Sequence, residues 1–404
     1  MDDSTDRRTF LRAGAAGCTL GLAGCLGVLD GGSADDGDDG LEFEPSDDDG
    51  DDDGEPDVTL EEWPSFQYDA QNTGHAPGSG PTEDVTVDWT FEREETMRGG
   101  PVIADGTVFV GCDDGELYAL DLDDGSLEWS VTTRARVRKH PAIYDNHLIV
   151  STGVGVDAYD TRTGDLEWSF GDEETYGATT PVVHDGTVVF GTGEPYVYAL
   201  DAATGAQYWR YEADRNLRGV AAIHDGSVYI GDISNLIHVH SLDDGTHRYD
   251  VSIGEEHSTG VAFSDDVVYT GGNEGGLHAL DMTSLGERLW EFEGEEIIQT
   301  TPAITDEQLF VMDQSATFYA LSRDDGEANW RRDVELSSPS APAVVDGTVY
   351  VGDGRGTLYA YDAQYGSEVF TIDLAEFWIY SPAVVEDTIV VGSNEGHLWA
   401  LTSN

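Results

Sequence analysis

The sequence predicts an all-β fold, an eight-bladed β-propeller of four-stranded antiparallel blades closed by an N-terminal strand. Three observations carry this. The stretch 158–168, A-Y-D-T-R-T-G-D-L-E-W, returns nearly intact at 199–209 as A-L-D-A-A-T-G-A-Q-Y-W. Weaker copies recur at spacings of 40 or 41 residues. No stretch between the copies carries a helical period, so each unit is built from short strands and tight turns.

The first strand of each unit opens at Pro101, Pro141, Pro181, Ala221, Val261, Pro302, Pro342 and Pro382. A turn follows each: Asp105-Gly106, Asp145-Asn146, Asp185-Gly186, Asp225-Gly226, Asp265-Asp266, Asp306-Glu307, Asp346-Gly347 and Glu386-Asp387. Asp-Gly between two apolar runs signals a hairpin, because glycine reaches positive φ without steric cost. The second strand reads Thr107-Val108-Phe109-Val110 in the first unit and Thr348-Val349-Tyr350-Val351 in the seventh. The third reads Leu117-Tyr118-Ala119-Leu120, then Val197-Tyr198-Ala199-Leu200 and Phe318-Tyr319-Ala320-Leu321. The fourth carries Trp129, Trp168, Trp209, Tyr249, Trp290, Trp330 and Phe370.

The eighth unit reaches the last residue given before any fourth strand. The missing aromatic stands upstream, in Val87-Asp88-Trp89-Thr90-Phe91. That strand is expected to complete the eighth blade and leave the ring without a free edge. Trp89, Trp129, Trp168, Trp209, Trp290 and Trp330 are then blade-docking residues, core rather than a cofactor box.

Charge sets the environment. The chain of 404 residues has 81 acidic and 19 basic residues, a net charge of -62, and one lysine, Lys139. Such a surface repels nucleic acid and anionic headgroups. It suits molar salt, where screening acts over about 3 Å, and points to a halophile. Cysteine is limited to Cys18, Cys25 and Cys112, which excludes a disulfide framework and a C-x-x-C metal site.

Residues 1–25 read as an address. Arg7-Arg8 within D-R-R-T-F-L-R resembles the twin-arginine export motif, and an apolar run too short to span a membrane follows. Leu22-Ala23-Gly24-Cys25 resembles a lipobox, which makes Cys25 the expected lipidation site. Residues 26–60 are rich in Asp, Gly and Glu, and are expected to be a disordered acidic tether. They lack the fixed ligand spacing of a calcium loop. Residues 61–404 hold the propeller. The expected location is the outer face of the cell membrane.

The pattern Ala-x-Asp-x-x-Thr-Gly-x-x-x-Trp is complete at Ala158, Asp160, Thr163, Gly164 and Trp168, and at Ala199, Asp201, Thr204, Gly205 and Trp209. It resembles the tryptophan-docking repeat of eight-bladed quinoprotein propellers, and W-P-S-F-Q-Y-D at 63–69 resembles the lead-in segment of that group. The resemblance implies one of two roles. One branch consists of dehydrogenases that hold pyrroloquinoline quinone and calcium on the axis. The other includes the lipid-anchored, non-catalytic propeller of the bacterial outer-membrane assembly machine. This chain lacks the adjacent cysteine pair and the long insertions of the enzymes. It is therefore expected to be a non-catalytic scaffold or binding protein, a monomer without cofactor. A quinone-dependent dehydrogenase is the alternative.

Strand alternation puts the hairpins on one face and the inter-blade loops on the other. Arg93, Arg98, Arg134, Arg136, Arg138, Lys139, Arg215 and Arg218 all lie in inter-blade loops, before blades one, two and four. They are the candidate docking site for an acidic protein partner or a small anionic ligand. Trp378 and Tyr380, in the loop before blade eight, are the candidate aromatic anchor. His238 and His240, at strand spacing, point to one side of their sheet. No Glu or Cys stands in register with them, so no metal is expected. Nor does a nucleophilic triad or phosphate cradle stand out.

Overall fold

The computed structural model describes residues 62–171, 175–254, 259–298, 300–338 and 340–403. Arg7, Arg8, Cys25 and the acidic tether lie outside the described residues. Among the described residues there is no α-helix, and the strands form eight separate sheets.

Blade one shows the plan. Its strands Val102–Ala104, Thr107–Gly111, Glu116–Asp121 and Leu127–Thr132 lie side by side in chain order. At the first hairpin Asp105 and Gly106 have φ of 50° and 72°. Two left-handed residues in succession make the turn whose twist matches the strands it joins. The second and third strands are buried on both faces, because blades stack on either side. The fourth strand, at the outer rim, is largely exposed. That gradient explains the near-continuous apolar runs of strands two and three and the mixed composition of strand four.

The third-strand Ala faces the fourth-strand aromatic in every register that has both. Ala119 faces Trp129, Ala158 faces Trp168, and Ala199 faces Trp209. In blade eight Val85–Glu92 pairs antiparallel with His397–Ser403, and Trp89 faces Ala400.

Each Trp docks on the next blade. Trp168 Nε1 donates to Ala202 O at 3.0 Å, and Trp209 Nε1 to Leu242 O at 2.7 Å. The ring covers the glycine of that blade's outer turn. A Cβ on Gly205, where φ is +68°, would meet the Trp168 ring at 2.6 Å. The repeat's Thr-Gly turn is therefore a platform for a neighbour's indole as well as a tight hairpin.

The two non-Trp positions follow from this contact. Tyr249 precedes blade five, whose outer turn is a longer 3₁₀ turn at Met282–Ser284, with Leu285 left-handed. Gly286 there faces Val251 instead of an indole. Phe370 precedes blade eight, whose third and fourth strands are not consecutive in the chain, so no Gly-bearing hairpin links them. In both cases the Trp is missing where its platform is altered.

The lead-in segment crosses the axis. Trp63 exchanges two backbone bonds with Ile103 of blade one. The carbonyls of Pro64, Ala70, Gln71, Thr73 and Gly74 accept from Ile143, Ile223, Phe263, Ile304 and Val344. These residues lie on the innermost strands of blades two, four, five, six and seven, and His75–Ala76 adds a parallel fifth strand to blade seven. Asn72, fully buried, donates to Ala221 O and Val261 O, both at 2.7 Å. One short segment thus caps the inner-strand N–H groups that a ring of edges would leave unpaired.

Candidate functional site

The inter-blade loops place a repeated hydroxyl near the axis, two residues before the opening residue of each first strand. Thr179, Thr259 and Thr300 each accept there from a backbone N–H, at 3.0, 2.9 and 3.0 Å. Ser340 does the same at 3.4 Å. Four blades depart from this rule, with Gly99, Lys139, Gly219 and Tyr380. Three of these belong to the consecutive blades eight, one and two. The ring is asymmetric there.

Asp113, buried in the turn after the second strand of blade one, organises the departure. Arg138 Nε donates to its Oδ1 at 2.8 Å and Nη2 to Oδ2 at 3.1 Å, while Arg98 Nε reaches Oδ2 at 3.2 Å. Tyr380 lies beside Arg98 and Asp113, and burial pushes its hydroxyl up against the pull of Arg98. The structure thus brings Arg98, Arg138 and Tyr380 to one carboxylate. Its single negative charge offsets one of the two guanidinium charges, so the Arg98–Asp113–Arg138 group stays net positive.

Arg134 is turned elsewhere. Its guanidinium meets fully buried Asp157 at 2.6 Å and also donates to Phe170 O at 3.1 Å. Asp157 stands in the third strand where other blades carry Tyr118, Tyr198, Tyr319 or Tyr359. Arg134 is therefore held as a structural counter-ion, apart from the cluster around Asp113. The exceptional Asp157 in an otherwise aromatic column was the available signal.

Arg136 and Lys139 form no ion pair among the described residues. With Arg138, Ser151, Thr152 and Tyr176 they line a cleft of about 480 Å³ between blades two and three. Lys139 keeps solvent contact, yet the surrounding blade ends desolvate its ammonium and lower its pKa. His140, next to it, packs against Phe66 at 4.8 Å between ring centres, and burial pulls it down to about 3. Tyr176 is 68% exposed at the cleft, and Trp378 and Phe377 are 37% and 52% exposed on the loop before blade eight. Arg218 lies in Leu217–His224 of blade four, and its side chain is outside the described residues.

Cys112 occupies the position that Asp313 and Asp353 fill in blades six and seven, where the carboxylate accepts turn N–H groups. It is fully buried, its Sγ donates to Glu95 O at 3.4 Å, and burial pushes the thiol up to about 12. The thiolate is the reactive form. Alkylation with iodoacetamide at pH 8, read by mass spectrometry of the Cys112 peptide, is expected only after unfolding. Stoichiometric labelling of the native protein would contradict this assignment.

A quinone with calcium would have to be held on the axis. Calcium takes six to eight oxygen ligands, mostly carboxylates and carbonyls. Among the described residues the ring above the lead-in segment offers Gly99, Lys139, Gly219, Tyr380 and hydroxyls already accepting backbone bonds. It holds no carboxylate and carries a cation. No cysteine pair is present beneath it, and Gln67 and Asn72 already bond the inner carbonyls. These residues do not fit that cofactor pair.

Comparisons with known proteins agree with the fold. A sequence model for the family described as outer membrane protein assembly factor BamB matches residues 84–177, 155–246, 234–346 and 330–404. The chain is 28% identical over 216 residues to outer membrane protein assembly factor BamB of Moranella endobia, a match covering 49% of this chain. It spans only 55% of that relative's length. The crystal structure of BamB from Moraxella catarrhalis superposes with a TM-score of 0.66 at 18% identity, over 79% of this chain and 97% of that one. Quinohemoprotein alcohol dehydrogenase from Comamonas testosteroni gives 0.71 at 13% identity, over 85% and 80%. Both structures share the fold, and at these identities nothing more follows from the likeness.

Proposed function

This chain belongs to the family described as outer membrane protein assembly factor BamB, and from that premise we propose that it is a non-catalytic binding protein whose loop face docks a protein partner. The observation that carries the reading is the cleft of Arg136 and Lys139. On a chain of net charge -62 it keeps two cations without ion-pair partners among the described residues. Unpaired charge beside exposed Tyr176 suits an acidic segment with an aromatic or apolar flank. Exposed Phe377 and Trp378 extend the surface towards blade eight. The partner class is therefore an acidic protein segment, and the twin-arginine-like leader with the lipobox at Cys25 supports an encounter on the outer face of a membrane.

The rival reading is a quinone-dependent dehydrogenase, a fold neighbour. It needs the axis for its cofactor, and in this chain segment 63–76 crosses the axis and bonds the inner strands. That occupancy supports the binding role.

The test is the double variant R136E/K139E in the full chain, purified from its native membranes in high salt. A stoichiometric partner cross-linked to the unaltered protein is expected to be lost, by at least tenfold, with an unchanged melting curve. Retention of the partner would overturn the docking site. Dye reduction with alcohols or sugars, on addition of pyrroloquinoline quinone and calcium, would overturn the non-catalytic reading.

A further inference from the structure

The third and fourth strands of blade four bring together a group of side chains that sequence spacing kept apart. His238 and His240 lie on Leu236–Ser241, and His247 and Asp250 on His247–Ser252. The strands pair so that His238 faces Asp250 and His240 faces His247. A bulge after Val239 shifts the register by one residue, which is why His247 rather than Arg248 comes opposite His240. The expectation of no metal set rested on the lack of a Glu or Cys in register with His238 and His240; the strand pairing instead brings a His and an Asp from the outer strand.

The geometry converges on one point. His238 Nδ1 and His247 Nε2 each lie 2.8 Å from the same oxygen, Oδ1 of Asp250. One donor atom from each of these three residues falls within 4.8 Å of the others. Tetrahedral zinc with bonds of about 2.0–2.1 Å separates its ligand atoms by about 3.3 Å, so Asp250 Oδ1 would draw back about half an ångström from each ring nitrogen to admit an ion. Behind His238, its Nε2 meets Asp232 Oδ2 at 3.3 Å. Asp232 is fully buried and held by the N–H groups of Ser234, Asn235 and Leu236. A carboxylate behind a ligating imidazole fixes the tautomer and presents the other nitrogen to the metal. The front is open, since the His247 and Asp250 side chains are 35% and 38% exposed. His240 adds an independent sign: it is fully buried, its ring centre is 5.3 Å from that of His247, and neither of its nitrogens has a hydrogen-bond partner.

We propose that His238, His247 and Asp250 form a zinc site on the outer rim of blade four, with water in the fourth position. Two imidazoles and one carboxylate select a borderline cation such as zinc over magnesium or calcium, which prefer all-oxygen sets. On binding, the ion replaces the ring hydrogens that now bridge to Asp250. It joins the exposed outer strand to the buried third strand. The site lies on the rim and is independent of the docking cleft.

The full chain, stripped with a chelator and held in molar salt with excess magnesium, is titrated with Zn²⁺ against a chromophoric competitor. One saturable site is expected, along with d–d absorption of a low-coordinate type when Co²⁺ is used instead. H247A and D250N are each expected to weaken binding by tenfold or more. Zn²⁺ is expected to raise the melting temperature of the unaltered protein and not of either variant. Absence of a saturable site, or equal affinity in both variants, would overturn the proposal. Diffuse binding to the many surface carboxylates would also overturn it, and is recognised by its loss in excess magnesium.

Discussion

Trp168→Ala is expected to lower the stability of the propeller by about 3–5 kcal/mol, the cost of emptying a large aromatic site. The measurement is a guanidinium unfolding curve in high salt. Trp168 is 8% exposed, and its ring lies on Gly205 of the next blade while Nε1 donates to Ala202 O. Truncation therefore opens a cavity between two sheets and leaves a buried carbonyl unpaired. Trp168→Phe separates the two contributions: it keeps most of the ring and loses the hydrogen bond, for an expected cost of about 1–2 kcal/mol. Gly205→Ala should also destabilise, since its Cβ would meet the indole in a left-handed turn. A loss below about 1 kcal/mol for Trp168→Ala would show that blades dock mainly through other contacts.

Arg134→Met is expected to cost about 3 kcal/mol, whereas Arg136→Met should leave the unfolding curve within about 0.5 kcal/mol of the original. The two residues are neighbours in one loop and look alike in sequence. Arg134 pairs with Asp157, whose side chain has no solvent exposure, so its removal strands a buried carboxylate. Double replacement, Arg134→Met with Asp157→Leu, is expected to recover most of the loss, because an apolar pair of similar volume often substitutes for a buried ion pair. Equal effects at 134 and 136 would contradict the assignment of separate roles. The same comparison guards the partner experiment: a reversal at Arg134 would weaken docking by unfolding, so the docking variant is built on Arg136 and Lys139.

Much of the fold was legible because its signals are short in range. A strand of period two, a turn residue at positive φ and an aromatic four residues after a glycine all fall within one repeat. The 40-residue spacing then multiplies the same local message eight times. Trp89 could be assigned to the eighth blade by counting alone, since only one copy of the aromatic was missing; its place opposite Ala400 came from the register. The side of the ring that carries the arginines was legible too, from strand alternation.

What each arginine does was not. Arg134, Arg136 and Arg138 sit at alternate positions, and their fates depend on Asp157, on open solvent and on Asp113. Those partners come from other strands and turns, 23 and 25 residues away for the two pairs that form. The lead-in segment bonds carbonyls more than 200 residues further along, as Gln67 does with Thr301 and Pro302. The zinc ligands depend on a single bulge, and a one-residue slip would have set Arg248 against His240.

The sequence by itself thus determined the number of blades, the strands in each and the aromatic joints between them, since all are set by local period and turn chemistry repeated along the chain. Tertiary structure alone decided which cations remain free, what crosses the axis and which histidines meet a carboxylate. Those contacts arise only when the ring brings distant strands into register, and long-range register is not encoded in any one repeat.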